Sequence, residues 1–198
     1  MRPTQIRRGL AVPSLFVSCK SEIAIPIRQP LLRYALEQAA LEPSVRTIRY
    51  RTGPDIECPH VSLHGVVLDR VDGNFLLQVF DHRPERSKDE LARVRFALEC
   101  HGLRLLERDA KDIRREPLFS NARAVWSHAK CRVSLPDRLR IAIALEDGPQ
   151  SIVELEERTR STCDILAAVC ALACEDVVRL NIDVVPLGPR TTVIGSIP

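Results

Sequence analysis

The sequence predicts an α/β protein in two parts: a mixed sheet with flanking helices, then a smaller domain of short helices closed by a β-hairpin. Three observations carry this. Residues 61–107 read strand, turn, strand, helix, strand, an order that packs a helix against a sheet. A helix and a strand precede that unit. From about Ser134 onward, caps, breakers and apolar periods agree on three short helices and two strands.

Residues 1–25 hold Arg2, Arg7, Arg8 and Lys20 around the apolar AVPSLFVSC, which reads as an irregular basic arm with one short strand. Such an arm suits phosphate contact without base reading. Between Pro26 and Glu42, apolar residues from Leu31 to Ala40 recur at helical spacing; Pro30 suits a first turn and Pro43 stops the helix. VRTIRYR, Val45 to Arg51, alternates as a strand with Ile48 and Tyr50 on one face and Thr47, Arg49 and Arg51 on the other. Arg46 stands at its entry, and TGPDIECP follows as a loop. VSLHGVVLDR and NFLLQVFD are strands joined by a VDG turn. The second is nearly all apolar, the pattern of a strand covered on both faces. From Ser87 the period becomes helical through Leu91, Val94 and Leu98, with Asp89 and Glu90 in the first turn and His101-Gly102 at the end. LRLLE is one more strand. A charged segment then leads past Pro117 to an apolar stripe of Leu118, Ala122, Val125 and Trp126, with Trp126 expected as a core or interface anchor.

In the last third, LPDRLRIAIALEDG is a helix, Ser151 to Glu154 is a capping box opening a second, and Ser161 to Asp164 opens a third. VVRLNIDVV and TTVIG flank the turn PLGPR. Three helices and a hairpin in this order predict a winged helix-turn-helix. The expected divisions are a basic arm over 1–25, the sheet domain over 26–133 and the winged-helix domain over 134–198.

Composition narrows the function classes. At 45% apolar and 4% aromatic residues, the core must be aliphatic. No apolar run approaches the roughly 18–20 residues of a membrane span. The N-terminal apolar stretch is broken by Pro13 and Ser14 and followed by Lys20 and Glu22, which argues against a secretory signal and for a cytoplasmic protein. Seven cysteines without CxxC spacing read as reduced thiols. The charge is uneven: residues 1–133 carry 23 Lys and Arg against 16 Asp and Glu, and residues 134–198 carry 6 against 10. A basic first part suits DNA, through Arg46, Arg49 and Arg51 on or beside the strand face and Arg83 and Arg86 after the central strand. An acidic second part suits a protein partner or a second copy. The third helix has no Lys or Arg between Thr162 and Cys174, so its Ile165, Val169 and Leu172 are expected to face that partner rather than base edges. Arg158, Arg160, Arg179 and Arg190 remain as phosphate contacts in that domain. Cys163, Cys170 and Cys174 share one helical face at core spacing.

The residues offer little chemistry. Cys58, His60, His64 and His82 fit no zinc spacing. Asp55, Asp69, Asp72 and Asp81 flank the hairpin as turn and surface carboxylates, without a lysine between Lys20 and Lys88. There is no phosphate loop, nucleophile elbow or dinucleotide fingerprint.

The layout resembles the TnsA-type transposon endonucleases, a PD-(D/E)xK restriction-endonuclease-like domain followed by a winged helix. The matching stretches are LLRYALEQAALEPSV, SLHGVVLDRVDGNFLLQVF, RVRFALECHGLRLLERDAKDIRREPLFSNARAVW, and IALEDGPQSIVELEERT through VVPLGPRTTV. The resemblance implies a restriction-endonuclease-like sheet and Mg²⁺-dependent action on DNA by a helix acid, a strand aspartate and an acidic-or-Gln, x, Lys pair. Laid on this chain, those positions fall at Leu32, His64, Gln78 and Phe80, of which only Gln78 is permissible. Leu32 offers no oxygen to a hard cation and Phe80 no positive charge. The expectation is a catalytically degenerate nuclease fold kept for DNA binding or assembly in a mobile-element context, with no cofactor. An active Mg²⁺ nuclease using Asp55, Asp69 or Asp81 with Gln78 is one alternative; a winged-helix transcription regulator is another.

Overall fold

The computed structural model describes residues 14–51, 65–161 and 163–196. Part of the expected arm is built into the fold. β1 (Ser14–Phe16) pairs antiparallel with β2 (Ile25–Ile27), and Phe16 is buried. α1 (Pro30–Leu41) starts at its proline and ends at Glu42, whose extended backbone prepares Pro43. β3 (Val45–Arg51), β4 (Gly65–Arg70) and β5 (Gly73–Phe80) form an antiparallel meander. α2 (Lys88–Glu99) crosses over to β6 (Arg104–Asp109), which lies parallel to β5. The strand order is β3-β4-β5-β6.

The caps explain why α2 stops and starts where it does. Ser87 and Glu90 close a capping box. At the other end the Leu103 N–H bonds the Leu98 carbonyl and the Gly102 N–H bonds that of Glu99, with Gly102 left-handed at φ +65°. That pairing ends the helix and turns the chain into β6.

The pleat divides the sheet between two cores. Ile48, Val66, Leu68, Phe75 and Leu77 face α1, whose Leu31, Ala35, Leu36, Ala39 and Ala40 cover them. Val67 and Leu76 face the other way, under Val94 and Leu98 of α2. The fold is therefore α/β, a mixed four-stranded sheet with helices on both faces.

Beyond β6, α3 (Ala110–Ile113) and α4 (Leu118–Ser127) lead into a second unit. This contains α5 (Leu135–Glu146), β7 (Gln150–Ser151), α6 (Ile152–Thr159), α7 (Ile165–Cys174), β8 (Val178–Leu180) and β9 (Thr192–Gly195). Its strands form an antiparallel sheet in the order β7-β9-β8. The expected strand VVRLNIDVV shortens to three residues for a definite reason. Asn121 of α4, itself buried, donates to the carbonyls of Ile182 and Val185, both at 2.7 Å, and accepts from the Leu187 N–H at 2.8 Å. Those bonds pull residues 182–187 out of the ladder.

α7 corrects an expectation. Ile165, Val169 and Leu172 are 3%, 0% and 1% exposed, so they form the core of this unit and are closed to any partner. A helix apolar all round is one covered all round. Cys170 and Cys174 sit in the same core, and burial pushes both thiols up to about 12, so they stay neutral. The exposed apolar side chains of this unit include Leu135, Leu139 and Ile143 of α5. Among the described residues no helix is long and apolar enough to cross a membrane.

The two units share α4. Ala122 and Val125 are buried, Val125 packs in the second core, and Trp126 touches both cores. The Trp126 indole N–H donates to the Glu37 carbonyl of α1 at 2.9 Å, and its ring stands 5.3 Å from Phe16. A second tie is Lys20, 6% exposed, which donates to the Glu42 carbonyl at 3.0 Å and pairs with Asp176 after α7 at 3.2 Å.

Trp126→Phe is expected to cost about 1 kcal/mol by removing the indole bond, and Trp126→Ala about 3 kcal/mol by opening a cavity as well, both read from urea unfolding by circular dichroism. Burial also pushes the Glu37 carboxyl up, with Arg33 and Arg123 partly opposing it. An acid whose folded pKa is raised contributes stability below its unfolded value and loses it as pH rises through the folded one. Glu37→Gln should therefore raise the melting temperature at neutral pH, and the gain should vanish below about pH 4.

Candidate functional site

On β5 the side chains alternate, and this decides the fate of the positions implied by the endonuclease resemblance. Leu77 and Val79 face α1, where they line a pocket of about 370 Å³ with Leu32, Gln29 and Tyr50. Gln78 and Phe80 face the opposite side, against Arg86. Leu32 therefore does not meet Gln78 and Phe80, a correction that follows from the two-residue period of a strand. The α1 face of this strand end carries Leu77 and Val79, neither of which binds a hard cation. His64 and Asp55 lie outside the described residues. Asp69 sits in β4, Asp72 pairs with Arg70 at 3.2 Å, and Asp81 follows β5 exposed, so these three do not converge. Among the described residues no three His, Cys, Asp or Glu side chains are grouped to hold a metal ion.

The five arginines expected to meet DNA separate into two kinds. Arg86 forms an ion pair with Glu107, donates to Gln78 Oε1 at 3.3 Å and stacks over Phe80 with its guanidinium carbon 5.9 Å from the ring centre. Arg83 is 2.6 Å from Asp112 and 4.0 Å from Asp109. The strand crossover brings those acids back beside residues more than twenty positions earlier, which no local pattern reveals. Arg49 donates to Asn74 Oδ1 at 3.0 Å across the sheet, and its Nε is buried without a partner. The side chains of Arg46 and Arg51, by contrast, have no hydrogen bond or ion pair among the described residues, and Arg46 is exposed. Arg28, not singled out from the sequence, is exposed at the rim of the Leu32 pocket, which also includes Gly65, the register partner of Arg51.

A larger cavity, about 720 Å³, lies where the units meet. Its walls are α1, the β4 and β6 strands, α3, and the chain from β8 into the following loop. Arg108 projects from β6 on the α1 side, two residues beyond the core residue Leu106. Its Nη2 donates to Gln38 Oε1 at 2.8 Å and more weakly to the Asp112 carbonyl at 3.4 Å. Gln38 is 5% exposed, and its Nε2 donates to the Ile113 carbonyl at 2.7 Å, which fixes the amide that orients Arg108. Burial holds the Arg108 guanidinium below the usual arginine range; Asp112 and Glu42 oppose that shift and Arg115 adds to it. Arg115 and Arg179 complete the basic lining from the two units. The only sequence signal for this cavity is an arginine at the inward phase of a strand.

Removing one partner of the Arg86–Glu107 pair, whose side chains are 20% and 18% exposed, strands a half-buried charge. Arg86→Ala and Glu107→Ala are each expected to cost about 2 kcal/mol, between exposed and fully buried pairs. In urea unfolding the double substitution should cost less than the sum of the two.

No protein-family model and no curated protein matches this chain.

Proposed function

We propose that this chain is a non-catalytic protein with a restriction-endonuclease-like first unit and a winged-helix second unit, which binds the DNA backbone through its first unit. The observation that carries the reading is the apolar triad Leu32, Leu77 and Val79, in the pocket where the helix and strand ligands of such a nuclease would stand. The order α1, meander, α2, parallel β6 supports the first half of the fold assignment. The helix, strand, helix, helix, strand, strand order with β9 central supports the second. DNA contact falls to Arg46 and Arg51, which lack acidic partners. They stand near opposite ends of β3, so they reach separate phosphates.

The test is fluorescence anisotropy of the full chain with a labelled random-sequence duplex, at two salt concentrations, with and without Mg²⁺. Binding should weaken steeply with salt, without cleavage. Arg46→Ala combined with Arg51→Ala should reduce the slope of log K against log salt by about 2, near 0.9 per phosphate contact. Mg²⁺-dependent cleavage, or no binding at low salt, would overturn the proposal.

A further inference from the structure

The cavity between the units is lined by four arginines and four acids, and two of those acids are engaged by arginines outside it. Of its lining residues, Arg70 is paired with Glu42 at 3.2 Å, Glu107 with Arg86, and Asp112 with Arg83 at 2.6 Å. That leaves Arg108, Arg115 and Arg179 facing Asp183, three cations against one carboxylate. The side chains of Arg115 and Arg179 carry no hydrogen bond or ion pair among the described residues, and the Arg108 side chain is bonded only to a neutral amide and a carbonyl. The Arg115 and Arg179 guanidiniums have no acidic partner, and an anion seated among the three arginines would supply one.

The site is built rather than incidental. Gln38, buried and locked to the Ile113 carbonyl, aims Arg108 at the cavity. Asn121 anchors the opposite wall with its three hydrogen bonds to residues 182–187, next to Asn181 and Asp183. Between the charged groups the lining is aliphatic, with Ala39, Leu68, Leu106, Leu118 and Ile182 among it. A volume of about 720 Å³ suits a ligand of drug or nucleotide size.

We propose that this cavity binds a small organic phosphate, its phosphate held by Arg108, Arg115 and Arg179 and its body resting on the aliphatic lining. A phosphate monoester fits better than a single carboxylate because it carries up to two charges and three acceptor oxygens for arginines arriving from separate elements. Because Arg108 and Arg115 belong to the first unit and Arg179 to the second, the ligand bridges the units and strengthens their docking. This inference uses residues distinct from Arg46 and Arg51 and does not depend on the DNA reading.

The experiment is calorimetric titration of the full chain with AMP, inorganic phosphate and adenosine at constant ionic strength, with a short DNA duplex as a further arm. AMP should bind saturably, inorganic phosphate more weakly, and adenosine more than about tenfold more weakly than AMP. Arg115→Ala and Arg179→Ala, exposed and unpaired in the fold, should each weaken AMP by about tenfold or more, while Arg95→Ala on α2 leaves it unchanged. The proposal is overturned if neither AMP nor phosphate binds saturably, if adenosine binds as well as AMP, or if both arginine variants bind AMP like the parent. Binding of the duplex alone, weakened by the same two substitutions, would assign the cavity to nucleic-acid backbone and overturn it as well.

Discussion

The placement of one helix, α4, conditions most of what this molecule can do. Trp126 is the only tryptophan in the chain, and from α4 it reaches into both cores and bonds the backbone of α1. Its indole offers a large apolar surface to two packing layers at once and a single donor that must be satisfied when buried. Five residues earlier, Asn121 uses both amide donors and its oxygen to hold the β8–β9 loop. The helix thus acts as a common wall. With Lys20 tying the N-terminal segment to Asp176, the units meet through satisfied polar groups as well as apolar contact, and the cavity between them has walls that are held from behind.

The alternation of side chains along β5 is the second constraint. One strand serves two layers, so each residue belongs to the face its parity dictates. On the α1 face the strand end is Leu77 and Val79, continuous with Leu32; on the α2 face it is Gln78 and Phe80, occupied by Arg86. An arrangement of hard-cation ligands requires oxygen atoms from helix and strand on one face. On the α1 face Leu32, Leu77 and Val79 supply no oxygen, and on the α2 face Gln78 Oε1 accepts from Arg86.

Electrostatics in this chain are decided by pairing more than by count. The first 133 residues have a clear basic excess, yet Arg83 and Arg86 are absorbed by acids of β6 and α3, and Arg49 is spent on Asn74. Among the arginines whose side chains have no acidic partner, Arg46 and Arg51 stand on β3 and Arg108, Arg115 and Arg179 line the cavity between the units.

How much was legible from the residues can be argued element by element. α1, the meander, α2 with its capping box, β6, and the three later helices followed by two strands are all written in local patterns. Caps, breakers and apolar periods act over a few residues and need no distant partner. The same patterns mislead at α7, whose uniform apolarity suggests an interaction face although Ile165, Val169 and Leu172 fill the unit's own core. They mislead again at VVRLNIDVV, where a side chain some sixty residues earlier in the chain captures the backbone. The sequence by itself determined the order and type of the elements and the absence of ligand chemistry at Leu32 and Phe80, because those depend on residue identity and near neighbours. Only the tertiary structure decided which arginines are neutralised, which strand face meets which helix, and that Arg108, Arg115 and Arg179 share a cavity, because charge pairing and enclosure act between residues that the chain keeps far apart.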